Sequence, residues 1–150
     1  MSDHQFVTFI PVYGIPHSSR KIEYHTIEAC GDNGQSKKMN TMFRIQQHLQ
    51  SLLSTAIANS DFLYVFGDLQ DTPNNSKLFH SGSCRIAKHP LGVVQTCEDY
   101  GMTCTIFEHI DTMKHPIISR HGSKGGRFID SMYSSNVGLA NILGISIIED

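Results

Sequence analysis

The chain has 150 residues, of which 39% are hydrophobic, and its formal net charge is −2. This length predicts one domain of ordinary size rather than an array of domains. The near-neutral balance, with a pI near 6.5, excludes a global basic field of the sort that drives nonspecific nucleic-acid binding. Any contact with nucleic acid therefore has to be local.

The cysteines and the amino terminus predict the compartment. Cys30, Cys84, Cys97 and Cys104 form no CxxC pair, and no charged region followed by a long apolar run opens the chain. We therefore expect an intracellular, reduced protein, cytoplasmic or nuclear. No apolar window reaches the ~18 residues of a membrane span, so we expect no membrane partner. The nine histidines form no HxxxH or HExxH pair, and no zinc site is predicted.

The amino-terminal part predicts a strand, a loop and a helix. Residues 5 to 13 become continuously apolar, which is typical of a strand in a sheet that is covered on both faces. Residues 17 to 37 are polar and rich in turn residues, which predicts a loop. From Asn40 to Ala58, apolar residues recur at intervals of three and four, which indicates an amphipathic helix.

The middle of the chain predicts a buried strand that ends in an acidic residue. Phe62 to Phe66 are five apolar or aromatic residues, and Gly67-Asp68 follows them at the carboxyl end. The run from Asp71 to Asn75 has the composition of a turn. Asp68 at such a strand tip either holds a water molecule or a metal ion, or only caps the amides of the loop, and its spacing leaves both open.

The remainder of the chain has weaker patterns. Residues 91 to 100 suit a short helix, and residues 102 to 107 suit a strand. Residues 111 to 126 predict an exposed loop, and residues 127 to 133 predict a further strand. The apolar tail from 137 to 148 predicts a last helix or strand.

Three stretches, in chain order, resemble the endonuclease/exonuclease/phosphatase superfamily, which includes DNase I, apurinic endonucleases and the endonuclease domains of non-LTR retrotransposons. Val65-Phe66-Gly67-Asp68-Leu69-Gln70 resembles its G-D-hydrophobic-Asn signature. The stretch from Phe6 to Pro16 resembles the strand that presents an active-site Tyr. Gly125-Gly126-Arg127-Phe128-Ile129-Asp130 resembles the R-I-D-Y strand, whose Asp supports a catalytic His.

The resemblance implies a fold, a reaction and a set of site residues. The implied fold is α/β (α+β), a partial DNase I-like sandwich with a mixed β-sheet and packed helices, in one domain over residues 1–150. The implied reaction is metal-dependent hydrolysis of nucleic-acid phosphodiester bonds. The implied catalytic residues are Tyr13, Asp68, Gln70 and Asp130, with Asp68 as the ligand of Mg²⁺.

A local basic patch is the candidate phosphate site. Arg120, Lys124 and Arg127 stand among glycines whose backbone amides are open to an anion, so these three residues could contact phosphates. A solvated loop explains the same composition equally well.

Departures from the family pattern leave two functional hypotheses open. Gln70 stands where the family has Asn, and the amino-terminal half with its metal-binding Glu and the terminal Ser-Asp-His motif are not found. We therefore expect a divergent or truncated phosphodiesterase that is weak or inactive alone and that acts with a missing half-domain or as a homo-oligomer. The alternative is a catalytically silent module that binds nucleic acid or a protein partner. Half of a sandwich would expose an apolar sheet face, which predicts self-association.

Overall fold

The computed structural model describes residues 5–14, 26–30, 36–59, 62–72, 81, 92–106, 118–122 and 125–142. These residues form eight strands and three helices. In chain order they are β1 (Val7–Pro11), β2 (Thr26–Cys30), β3 (Ser36–Asn40), α1 (Thr41–Asn59), β4 (Phe62–Asp68), α2 (Val93–Asp99), β5 (Thr103–Cys104), β6 (Arg120–Gly122), β7 (Gly125–Arg127), β8 (Asp130–Ser134) and α3 (Asn136–Ala140).

A four-stranded mixed sheet organises the described part of the chain. Its order is β1-β4-β8-β5, with β1 parallel to β4, and with β8 antiparallel to both β4 and β5. Parallel neighbours need a crossover connection, and the chain between β1 and β4 contains α1, which is 19 residues long. The predicted α/β class is confirmed, as is the predicted helix from Asn40 to Ala58.

One face of this sheet carries the core. Alternation along β4 turns Leu63 and Val65 to this face, where both are buried. They belong to one apolar cluster with Leu53 of α1, Val94 of α2 and Tyr133 of β8. The apolar residues of α1 recur with the period of the helix because only one of its faces contacts the sheet.

The opposite face is partly open and aromatic. Phe9 of β1 stacks on Tyr64 with ring centroids 5.3 Å apart, and meets Phe66 edge to face at 6.3 Å. Helix α3 covers one end, where the Tyr64 hydroxyl donates to the Gly138 carbonyl at 3.1 Å. Phe9 nevertheless stays 62% exposed and Phe66 stays 38% exposed.

Two predicted loops contain strands. The range 17–37, which predicts a loop, contains β2 and the first two residues of β3, and these strands pair antiparallel from Cys30↔Ser36 to Thr26↔Asn40. Within the predicted loop at 111–126, β6 pairs with β7, and Gly122 lies opposite Gly125. Both predictions were wrong for the described residues, because short polar strands owe their existence to a paired partner rather than to an apolar period.

The predicted strand from 127 to 133 is also divided. Arg127 ends β7 in a two-stranded sheet, whereas Asp130 begins β8 in the main sheet. Phe128 and Ile129 between them are buried. Of the predicted strand at 102–107, Thr103–Cys104 forms a strand. The described part of the predicted last element at 137–148 forms a helix over Asn136–Ala140, and residues 107 and 143–148 lie outside the described residues.

None of the helices formed by the described residues combines the length and the apolar character that crossing a membrane requires.

Candidate active site at the carboxyl end of β4

Asp68 and Asp130 lie directly opposite each other at one end of the sheet. The antiparallel register of β4 and β8 pairs Tyr64 with Ser134, Phe66 with Met132, and Asp68 with Asp130. Side chains at directly opposed positions share a face, with Cβ atoms about 4.5–5.5 Å apart. The backbone continues the pairing, because the Leu69 amide donates to the Ile129 carbonyl at 2.8 Å. Two of the three motifs therefore meet.

Two glycines bring the stretch that begins at Phe6 to the same end of the sheet. The Gly14 amide donates to the Asp68 carbonyl at 2.7 Å, and a Cβ at Gly14 would lie 2.1 Å from the Leu69 carbonyl oxygen. Gly67 has a φ of 135°, and a Cβ there would lie 2.2 Å from the Val12 carbonyl oxygen. Only glycine permits either approach, so the backbone after β1 lies against the end of β4.

The Asp68 carboxylate is held by Gln70. Its Oδ1 accepts from the Gln70 backbone amide at 3.2 Å, and its Oδ2 accepts from the Gln70 side-chain amide at 2.6 Å. Gln70 is only 2% exposed and has a φ of 55°, in the left-handed region that is uncommon for a residue other than glycine. Asp68 therefore does cap the loop, as one of the two sequence readings proposed.

A shallow depression of about 380 Å³ opens beside the two carboxylates. Asp68 and Asp130 line it together with the apolar side chains of Phe66, Ile106 and Phe128. A site of this size suits a small ligand, with few polar groups set in an apolar wall. No group of three or more His, Cys, Asp or Glu residues that could hold a metal ion occurs among the described residues.

The predicted phosphate-binding residues lie partly beside this site. The Ser119 hydroxyl accepts from the amides of Ile129 at 2.9 Å and of Asp130 at 3.1 Å, which holds the start of β6 next to the start of β8. Arg120 and Arg127 are directly paired across β6 and β7. Lys124 lies outside the described residues. Sequence reasoning missed Ser119, since an isolated serine carries no pattern.

Tyr13 does not line the depression. Its side chain is 70% exposed and lines a second groove, of about 530 Å³, between β1 and α1. Arg44 and His48 of α1 line the same groove. Sequence reasoning missed these two residues, although their spacing of four was the available signal, since it places both on one side of a helix.

In comparisons with known proteins, no family model, no curated protein and no solved structure matches this chain.

Proposed function

We propose that the chain is a divergent, DNase I-like domain that binds phosphodiester groups of nucleic acid at the Asp68–Asp130 edge and hydrolyses them weakly or not at all by itself. The observation that carries this proposal is the direct cross-strand pairing of Asp68 with Asp130. Two motifs that are separated by about two fifths of the chain resemble one superfamily, and the register of the sheet sets their acidic residues side by side.

The paired carboxylates favour a cation at this edge. Like charges directly opposite each other in a sheet are destabilising, and a bound cation removes that repulsion. Mg²⁺ prefers oxygen ligands and is usually held by one or two carboxylates together with water and substrate phosphate. Asp68 and Asp130 fit this donor set and would hold the ion, which when bound would polarise the phosphodiester and neutralise its charge.

The polar groups around the edge have roles that follow from their positions. Asp130 is exposed and free to approach a ligand, whereas Asp68 is fixed in orientation by Gln70. A carboxylate in a fixed orientation positions a water molecule or a phosphate-bound ion without further ordering. Arg120 and Arg127 at the neighbouring hairpin would contact the phosphate backbone of the substrate.

The hydrogen bond between Gln70 and Asp68 supports a second candidate function, a binding module without catalysis. At 2.6 Å the Gln70 side-chain amide occupies one lone pair of Asp68 Oδ2, and the Gln70 backbone amide occupies one lone pair of Oδ1. A general base must lie within hydrogen-bond reach of the proton that it accepts, and an occupied lone pair reduces that capacity. This arrangement favours phosphate binding over water activation.

Thermal unfolding with and without Mg²⁺ tests the cation site. We expect Mg²⁺ to raise the melting temperature of the wild type, because a ligand that binds only the folded state stabilises it. Asp130→Asn should remove most of this shift and should raise the melting temperature in the absence of Mg²⁺, since it removes the like-charge pair. Asp99→Asn on the exposed side of α2 is the matched control and should leave the shift intact. An equal shift in Asp130→Asn and the wild type would refute the site.

Cleavage assays separate the two candidate functions. If the chain is a hydrolase, we expect slow, Mg²⁺-dependent nicking of supercoiled or abasic DNA. This nicking should disappear in Asp68→Ala and when a chelator is added. If the chain is a binding module, we expect it to bind DNA without nicking it. Gln70→Asn should increase nicking little, because the shortened side chain changes one of several groups that the chemistry needs. Robust nicking that survives Asp68→Ala would place the activity elsewhere in the chain.

A further inference from the structure

The groove between β1 and α1 has the composition of a ligand site. Its floor is formed by apolar side chains of both elements, among them Ile10 and Leu49, which are buried. The polar residues that line it are Tyr13, Arg44 and His48. An apolar cleft of about 530 Å³ with a few polar groups at its rim is typical of sites that take a small organic ligand or one unit of a polymer.

The charge of this groove is positive. Arg44 and His48 are one helical turn apart, which places their Cβ atoms about 5–6 Å from each other on one side of α1. None of the described residues that line the groove is acidic, and the sequence of α1 contains no Asp or Glu. Arg44 and His48 are both exposed, so their donors are open to a ligand that approaches from solvent.

Tyr13 supplies a flat surface beside these donors. Its ring is 70% exposed, although tyrosine usually buries much of its ring. Exposed aromatic rings next to a cationic groove are the elements from which proteins build sites for single-stranded nucleic acid, since a base stacks on the ring while the phosphate meets the cation.

We propose that this groove holds one nucleotide of a single-stranded nucleic acid, with its phosphate on Arg44 and His48 and its base on Tyr13. This inference rests on the proposed function, because it extends the path of the strand away from the Asp68–Asp130 edge. The two places are adjacent along the chain, since Gly14 follows Tyr13 and donates to the Asp68 carbonyl at 2.7 Å. The groove provides affinity for the strand and the edge provides the cation.

Fluorescence anisotropy with a labelled oligothymidylate of about eight nucleotides, within the range of site sizes of single-strand-binding domains, tests the inference. Excess chelator in the buffer prevents both hydrolysis and Mg²⁺ binding, so that the measurement reports binding without a cation at the edge. We expect Arg44→Gln to weaken binding by about tenfold or more, as is usual for the loss of a charge-assisted contact. Arg44→Lys should recover part of that loss.

A control variant separates position from net charge. Thr55→Glu changes the net charge by the same amount as Arg44→Gln, and it lies eleven residues along α1, about 16 Å away. Thr55 is exposed, so the variant is expected to fold. At moderate salt it should change the affinity less than twofold, because that distance exceeds the Debye length of about 10 Å. Equal weakening by both variants would overturn the proposal.

Tyr13 distinguishes a nucleotide from a bare anion. Tyr13→Leu keeps the apolar volume but removes the ring, and we expect it to weaken oligothymidylate binding by about fivefold or more. Inorganic tripolyphosphate should compete poorly for the groove. A Tyr13→Leu variant with wild-type affinity, or full competition by tripolyphosphate, would overturn base stacking as the mode of recognition.

The proposal for the groove and the proposal for the edge can be contradicted independently. Ile57→Gln changes neither the edge nor the groove, so it should bind oligothymidylate with wild-type affinity in chelator. Oligothymidylate binding that is lost in Arg44→Gln, in a protein that never nicks DNA, would uphold the groove and contradict the hydrolase. Nicking that persists in Arg44→Gln with unchanged oligothymidylate affinity would uphold the hydrolase and contradict the groove.

Discussion

The side-chain amide of Gln70 donates to Oδ2 of Asp68 at 2.6 Å, while the backbone amide of the same residue donates to Oδ1 at 3.2 Å. One residue therefore satisfies both oxygens of the acidic group at the carboxyl end of β4. The left-handed backbone of Gln70, with a φ of 55°, turns its backbone and side chain toward the same carboxylate. These two hydrogen bonds restrict the Asp68 carboxylate to one orientation.

This pair of hydrogen bonds predicts the cost of changing Asp68. Asp68→Ala removes the acceptor of two hydrogen bonds that a buried residue donates, so we expect the free energy of unfolding to fall by about 1.5–3 kcal/mol. Asp68→Asn keeps an oxygen for the backbone amide and should cost about 1 kcal/mol. Urea denaturation of the three proteins measures both values. Equal loss in the two variants would show that the hydrogen bond retained in Asp68→Asn contributes nothing, and no loss in either would show that the hydrogen bonds to Gln70 contribute nothing.

Gly67 predicts a second effect on stability. Any side chain at this position is strained by the φ of 135° and would also contact the Val12 carbonyl oxygen, 2.2 Å from the added Cβ. We expect Gly67→Ala to lower the free energy of unfolding by about 3 kcal/mol or more. Gly101→Ala is the control, since Gly101 has a φ of 72° with open space around it. It should cost about 1 kcal/mol, from backbone strain alone. Similar values for both would mean that the close approach of β1 to β4 is easily relaxed.

The buried thiols predict how stability depends on pH. Burial raises the pKa of the Cys97 thiol, and that of the Cys104 thiol, from 9.0 to about 12. The folded state therefore favours the protonated thiol, so this stabilisation is complete below pH 9 and is lost as the pH rises toward 12. Each thiol contributes at most about 1.4 kcal/mol per pH unit in that window. Burial raises the pKa of the Tyr133 hydroxyl as well, in the same direction.

Chemical denaturation between pH 8 and pH 11 measures this slope. Cys97→Ala should be less stable at neutral pH, because it leaves a cavity, yet its stability should fall less steeply above pH 9. The comparison with the wild type cancels the contributions of lysines and exposed tyrosines. Parallel curves for the two proteins would show that the Cys97 thiol ionises as easily in the folded state as in the unfolded one.

The aromatic face of the main sheet predicts self-association. Phe9 and Phe66 are in contact on that face, yet they are 62% and 38% exposed. An exposed apolar patch is typical of a surface that contacts another chain. We expect sedimentation at tens of micromolar to show a dimer or larger species, and Phe9→Thr with Phe66→Thr to shift it toward the monomer.

Ile57 provides the control for this measurement. It is an exposed apolar residue on α1, outside the aromatic face, and Ile57→Gln removes a comparable apolar side chain. This variant should associate like the wild type. A wild-type protein that sediments as a sharp monomer at tens of micromolar, without binding a hydrophobic dye, would contradict the prediction.

The amino-acid sequence by itself determined the elements that carry a local period. The apolar spacing of three and four residues in α1, and the five apolar or aromatic residues of β4, predicted both elements to within a few residues. Helix α2 was predicted from the same kind of spacing. These patterns can be recognised locally, because each helix or strand turns its own apolar residues toward the core at the period of that element.

The tertiary structure alone decided which residues of distant segments meet. The register that sets Asp68 opposite Asp130 depends on pairing between strands, and a shift of one residue would have turned Asp130 to the other face. The left-handed conformation of Gln70 is likewise a feature that no local pattern predicted. Tyr13 and Arg44 line one groove because segments that are distant in the chain come together. The motifs named Asp68 and Asp130 as candidate site residues, whereas the separation of a carboxylate edge from a basic groove depends on how β1 and α1 are placed, which no local pattern encodes.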